Sequence, residues 1–151
     1  MIDWNAIPGR VFVRDEFDDP NYPGSGDLID PHLMRQLVAL RLYTKWPMII
    51  HGPIGGAVDV DGVWGHAPHS YHRKDMGCRA VDFHFNTNAP ARLQAYYVSL
   101  FAFGGMGFYF DWRWGGKKLK IGFHVDTRPR EHFQLWRRED GEYIYMMINS
   151  R

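Results

Sequence analysis

"RAVDFHF", Arg79 to Phe85, is the stretch on which the fold reading turns. Ala80, Asp82 and His84 alternate with Val81, Phe83 and Phe85, the period-two pattern of a strand with one apolar and one polar side. The apolar trio is expected to enter a core, and Asp82 and His84 to share the opposite face. "KIGFHVD", Lys120 to Asp126, repeats the arrangement: Ile121, Phe123 and Val125 form the apolar side, and Gly122, His124 and Asp126 the other. Two strands, each with one chemically loaded face, are therefore expected to lie in one sheet.

Outward from these strands the pattern is mixed. Asp30 before Pro31 reads as an N-cap with proline at the first helical position. Leu33, Leu37 and Leu40, with Val38 and Leu42, draw one apolar face up to about Tyr43. "PMII" is a short buried-strand candidate, and the glycine-rich "HGPIGGAVDVDGVWGHAPHS" is too broken for regular structure, so it reads as a long loop bordering a site. Asn88 reads as the cap of a second helix over "APARLQAYYVSLFAF", and "GGMGFYFDW" as a glycine-rich turn entering a strand. An Asp140-Gly141 turn separates two strand-like runs, a hairpin signal. Helices and strands without regular alternation predict an α+β fold with a largely antiparallel sheet flanked by helices.

The bulk numbers fit one compact domain over 1–151, with 45% hydrophobic residues to fill a core. The formal charge of +1 arises from 18 basic and 17 acidic residues without long runs of either sign, so nothing argues for nucleic acid or an anionic membrane as partner. The N-terminus lacks a basic start followed by an apolar run, and no window approaches a membrane span. The expectation is a soluble protein made in the cytoplasm without its own export signal. Cys78, the single cysteine, cannot form an internal disulfide; beside the histidines it could be a ligand or nucleophile, but a small packing residue is the commoner role.

A zinc site that does chemistry takes about three protein ligands and keeps a position for water. His72, Asp82 and His124 can supply such a set, two from the strand faces and one from the loop feeding the first strand. A His2Asp centre would acidify a bound water and polarise a substrate carbonyl, which suits amide hydrolysis. Each histidine also has a structural reading. His32 and His132 read as surface residues, His51, His66 and His69 as loop decoration, and His84 as a hydrogen-bonded group behind the ligands. No nucleophile elbow or phosphate-cradling loop is present, and the aromatic residues are expected mostly in the core.

"SYH…GCRAVDF", Ser70 to Phe83, resembles the S-x-H-x-x-G-x-A-x-D motif of the zinc-dependent D-Ala-D-Ala carboxypeptidase and L-alanyl-D-glutamate endopeptidase family, peptidoglycan peptidases that include phage endolysins. "GGMGFYF…IGFHVDTRP…W", Gly104 to Trp136, resembles the second motif of that family, and "RDEFDDP…GDLIDPHLMRQLVALR" its opening. The likeness runs from about Phe12 to Trp136. It implies the zinc carboxypeptidase (Hedgehog-like) fold, a Zn2+ cofactor held by His72, Asp82 and His124, and a peptidoglycan peptide as substrate. Asp126 matches the aspartate of the family's H-V-D segment and would act as an acid-base group or orient a ligand. His84 and His69 are the other candidates for handling protons.

Two features depart from the family. His72 and Asp82 are ten positions apart, where the family has about seven, so "RKDM" would bulge from the ligand loop and His69 becomes a rival ligand. The family's substrate-gripping arginine, in an S-x-x-R sequence after the first strand, has no counterpart in "HGPIGGAVD"; Arg73 or Arg79 would substitute. The reading is a zinc peptidoglycan peptidase of phage or prophage type, released to the wall by lysis machinery or carried in a virion. Its rivals are a degenerate homologue serving as a wall-binding or phage structural protein, and an amidase acting on a non-peptidoglycan dipeptide.

Overall fold

The structure is a computed structural model that describes residues 2–148. Its elements are α1 (Pro31–Thr44), β1 (Met48–Ile50), β2 (Ala80–Phe85), α2 (Ala91–Ser99), β3 (Gly105–Tyr109), β4 (Arg113–Trp114), β5 (Lys117–Lys118), β6 (Gly122–Asp126), β7 (Gln134–Glu139) and β8 (Glu142–Ile148). Six strands form one sheet in the order β1-β2-β6-β3-β7-β8, while β4 and β5 form a separate small hairpin. Every neighbouring pair in the large sheet is antiparallel except β3 and β7, which run parallel. The expected α+β architecture with a largely antiparallel sheet is what the chain adopts.

The period-two reading of the two central strands holds. Val81, Phe83, Phe85, Phe123 and Val125 are buried together with Leu33, Leu37 and Leu40 of α1 and Val98 of α2, so both helices serve one core. Phe83 and Phe123, directly opposite in register, stack with ring centres 5.2 Å apart. The α1 cap is as expected: the Asp30 carboxylate accepts a hydrogen bond from the Leu33 N–H at 3.0 Å. The same carboxylate accepts from the Thr127 hydroxyl at 2.9 Å, which ties the helix start to the end of β6.

Three local expectations need correction. Leu42 is 44% exposed and Tyr43 60%, because the apolar stripe of α1 leaves the core after Leu40. Asn88 does not cap α2. Pro90 occupies the N-cap without a side-chain bond, and the helix stops at Ser99, short of "LFAF". The Asp140-Gly141 turn does join β7 to β8, with φ of 50° and 82°, the left-handed pair a tight hairpin demands. Among the described residues no helix is long and apolar enough to cross a membrane.

Candidate metal centre

Lateral pairing delivers the site. Asp82 of β2 stands opposite His124 of β6, so their side chains emerge side by side on the face away from the helices. His72 arrives from the loop. Its backbone is fixed where Asp59 N–H donates to the His72 carbonyl at 3.1 Å and Lys74 N–H donates to the Asp59 carbonyl at 2.9 Å. The chain between the two ligands turns outward in a 3-10 segment, Lys74–Met76, with Lys74 and Asp75 exposed, so the ten-residue spacing is taken up as a bulge and His72 still reaches the strand pair.

Ligand atoms from His72, Asp82 and His124 all lie within 4.8 Å of one another. His124 Nδ1 is 2.9 Å from Asp82 Oδ1 and 3.2 Å from His72 Nε2, and His72 Nε2 is 3.4 Å from the same Asp82 oxygen. Each imidazole is oriented from behind. The Ala57 carbonyl accepts from His72 Nδ1 at 3.1 Å, leaving Nε2 to face the cluster. On the far side of His124, Nε2 lies 3.1 Å from Asp126 Oδ2, leaving Nδ1 to face the cluster.

In neutral imidazoles so arranged, two nitrogen lone pairs and a carboxylate oxygen converge on one point, and only a cation or a shared proton relieves that repulsion. The surroundings of His124 act in the same sense. Burial alone would lower its pKa, but hydrogen bonds and charge from Asp126 and Asp82 raise it to about 9. The Asp82 carboxyl, which burial would push up, is instead held well below the usual carboxylate range by His72 and His124. Two orientated imidazoles and one carboxylate make a donor set that can hold a metal ion, with a His2Asp composition known to suit zinc.

Asp126 is fully buried and does not line the cleft. The Arg128 guanidinium grips it, with Nε 2.8 Å from Oδ1 and an η-nitrogen 2.6 Å from Oδ2, and donates onward to Gln134 Oε1. That places Asp126 behind His124 as the group that orients it. Close packing of these groups explains two glycines of β3: a Cβ on Gly105 would collide with the Asp126 carboxylate, and one on Gly107 would lie 2.5 Å from the Trp136 indole.

The cluster opens on a cleft of about 500 Å³, with His66, His69, Tyr109, Arg128 and Trp136 among its walls. His69 is exposed on the rim and stands outside the ligand cluster. His84 turns instead to His51, with ring nitrogens 2.9 Å apart, and Trp114 stacks on His51 at 4.4 Å. His51 is thus a buried structural residue and not loop decoration; burial pushes its pKa down to about 4. His66 corrects the same expectation: it stacks on His72 with ring centres 4.3 Å apart, and its Nδ1 is 2.8 Å from buried Asp59. Burial and the neighbouring His72 lower the pKa of His66.

Arg73 and Arg79 do not line the cleft; Arg73 bonds to Asp75 at 3.1 Å, and Arg79 is exposed. The arginine at the cleft is Arg128, four positions after His124, which sequence reasoning passed over although it stands in "HVDTRP" beside the ligand strand. Cys78 packs in the core, where burial pushes its thiol up to about 12, so it is neither ligand nor nucleophile. A second acidic group, Asp19, Asp59 and Asp61, also gathers carboxylate oxygens within 4.8 Å. Its buried members are already occupied. Asp19 accepts from Asn21 N–H, Val60 N–H and Trp64 Nε1, and Asp59 from Gly62 N–H, so the group knits the loop.

Comparison with protein-family models, curated proteins and solved structures finds no match to this chain.

Proposed function

We propose that the protein is a zinc-dependent peptidase that hydrolyses an amide bond in peptidoglycan stem or cross-link peptides, built on a zinc carboxypeptidase (Hedgehog-like) fold. The observation that carries this reading is the convergence of His72, Asp82 and His124 at the floor of an open cleft. Zinc bound there would supply Lewis-acid chemistry, polarising the scissile carbonyl and acidifying water.

The protein's own residues do the rest. Asp126, clamped by Arg128, keeps the His124 ring turned so that Nδ1 faces the ligand cluster. The Ala57 carbonyl does the same for Nε2 of His72. Proton transfer to the departing amine falls to a histidine on the cleft wall. His69 stands on the rim, and His66, with Nδ1 against Asp59 and a pKa lowered by burial, would take a proton from the attacking water at Nε2 and hand it to the departing amine.

The test combines metal analysis with mass spectrometry of digested peptidoglycan. About one zinc per chain and a new free amine at a D-Ala or D-Glu linkage support the reading; zinc-free protein, or muropeptides that stay intact with zinc-loaded protein, would end it. A second reading, a catalytically degenerate wall-binding or phage structural homologue, draws on the arginines: Arg73 and Arg79 lie off the cleft, and the charge of Arg128 is already neutralised by Asp126. Unchanged muropeptides together with co-sedimentation on cell walls favour it.

A further inference from the structure

One row of residues crosses five strands of the sheet on the cleft face. Asp82 pairs with His124, His124 with Gly107, Gly107 with Trp136, and Trp136 with Tyr145. Because Gly107 has no side chain, the Trp136 ring lies across it and reaches to 5.3 Å from the His124 ring. Beyond Trp136 the row ends in tyrosine. Tyr145 is 6.5 Å from Trp136, and Tyr143 stands edge-on to Tyr109 at 6.3 Å. Both edge-strand rings line the cleft, yet they are 56% and 53% exposed. Large aromatic rings left this open beside a ligand cluster are poor core residues and good contact surfaces.

The charge of the cleft narrows what they contact. Among the described residues Arg128 is the only arginine or lysine lining it, and its guanidinium is committed to Asp126 and Gln134. Arg138, 5.4 Å from the Tyr143 ring centre, is paired with Asp111. Among the described residues no uncompensated arginine or lysine stands at the tyrosine end to take a phosphate, so a nucleotide is a poor fit there. Flat rings bordered by phenolic hydroxyls, with Ser70 and Gln134 nearby, suit a neutral ligand that has an apolar ring face and a hydroxyl-rich edge.

We infer that Tyr143 and Tyr145 form a stacking platform for a pyranose ring, an N-acetylhexosamine of the glycan to which the substrate peptide is still attached. This rests on the peptidase reading for the metal end of the cleft, and it makes the preferred substrate a glycan-linked peptide and not a free one. From His124 to Tyr145 is three strand spacings, about 14 Å, the reach of about four extended residues, so sugar and scissile amide occupy the two ends of one cleft.

The test is saturation-transfer NMR on the zinc-loaded full chain, with a short β-1,4-linked N-acetylglucosamine oligomer as probe and Tyr143→Ala, Tyr145→Ala and the double variant for comparison. Expected are saturation of the sugar ring protons and affinity about tenfold weaker in the double variant, with wild-type zinc content and circular dichroism. Absence of transfer to the sugar, variants that bind it as well as the wild type, or stronger binding of an aromatic dipeptide at the same tyrosines would overturn the inference. Sugar binding does not require cleavage. If muropeptides stay intact while the oligomer still saturates through the tyrosines, the peptidase reading fails and the platform stands; if peptides are cut but the sugar is ignored, the reverse holds.

Discussion

Two histidine pairs stand on the same side of this sheet and behave in opposite ways. His72 and His124 meet at 3.2 Å beside Asp82, with Asp126 behind, and His124 is drawn up to about 9. His51 and His84 meet at 2.9 Å against the Trp114 ring, and His51 falls to about 4. Burial acts on both pairs and always disfavours the charged imidazole. The carboxylates make the difference. In the second pair one neutral ring donates to the other and the contact is complete; in the first the hydrogen atoms are drawn away to Ala57 and Asp126, leaving a nucleus of acceptors that calls for a cation.

Mutation should separate the two pairs sharply. Replacing a ligand, as in His124→Ala or Asp82→Asn, should reduce zinc from about one ion per chain to background by metal analysis, whereas His84→Ala should leave the zinc content as it was. Next in size, Asp126→Asn should weaken zinc binding about 10- to 100-fold in a competition titration with a chelator, because the His124 ring loses the group that orients it. In thermal unfolding, zinc at a hundred times its dissociation constant should add about 2.7 kcal/mol to the wild type and nothing to Asp82→Asn. His84→Ala leaves His51 with an unmet ring nitrogen and should cost about 1–3 kcal/mol whether or not zinc is present.

The dependence on pH is the most diagnostic effect, because its sign differs between the pairs. In the metal-free protein His124 has a folded pKa of about 9 against about 6.5 in the unfolded chain. Its contribution to stability is complete below about 6.5 and lost as pH rises through 9. His51, at about 4 when folded, does the reverse: the unfolded chain takes up its proton first, so stability falls as pH drops from about 6.5 toward 4. Melting temperatures of chelator-treated protein across this range should therefore decline on both sides. His124→Ala should flatten the alkaline limb, and His51→Phe part of the acid limb. Adding zinc should reverse the alkaline trend, since ligands must shed protons to bind it.

Much of this was legible because it depends on period and pairing. Alternation in "RAVDFHF" and "KIGFHVD" placed Asp82 and His124 on one face, and the antiparallel register then set them side by side. The Asp30-Pro31 start of α1 and the Asp140-Gly141 hairpin are local chemistry that needs no tertiary knowledge. What escaped depends on contacts distant in sequence. His66 looked like loop decoration because nothing local reveals that its ring stacks on His72 or meets Asp59; only the fold of the 51–72 loop brings them together. Arg128 was passed over because its partners, Asp126 and Gln134, are recognisable only once β6 and β7 are in place. The failed Asn88 cap shows the limit of local signals: Pro90 fixes the helix start two residues later.

The central claim is that the acceptor-rich pair, and not its look-alike or the acidic loop, holds the metal. Anomalous diffraction at the zinc edge from crystals grown with zinc tests it most directly. The account predicts one strong peak within bonding distance of His72 Nε2, Asp82 Oδ1 and His124 Nδ1. A peak between His51 and His84 or among Asp19, Asp59 and Asp61, with none at His124, would contradict it.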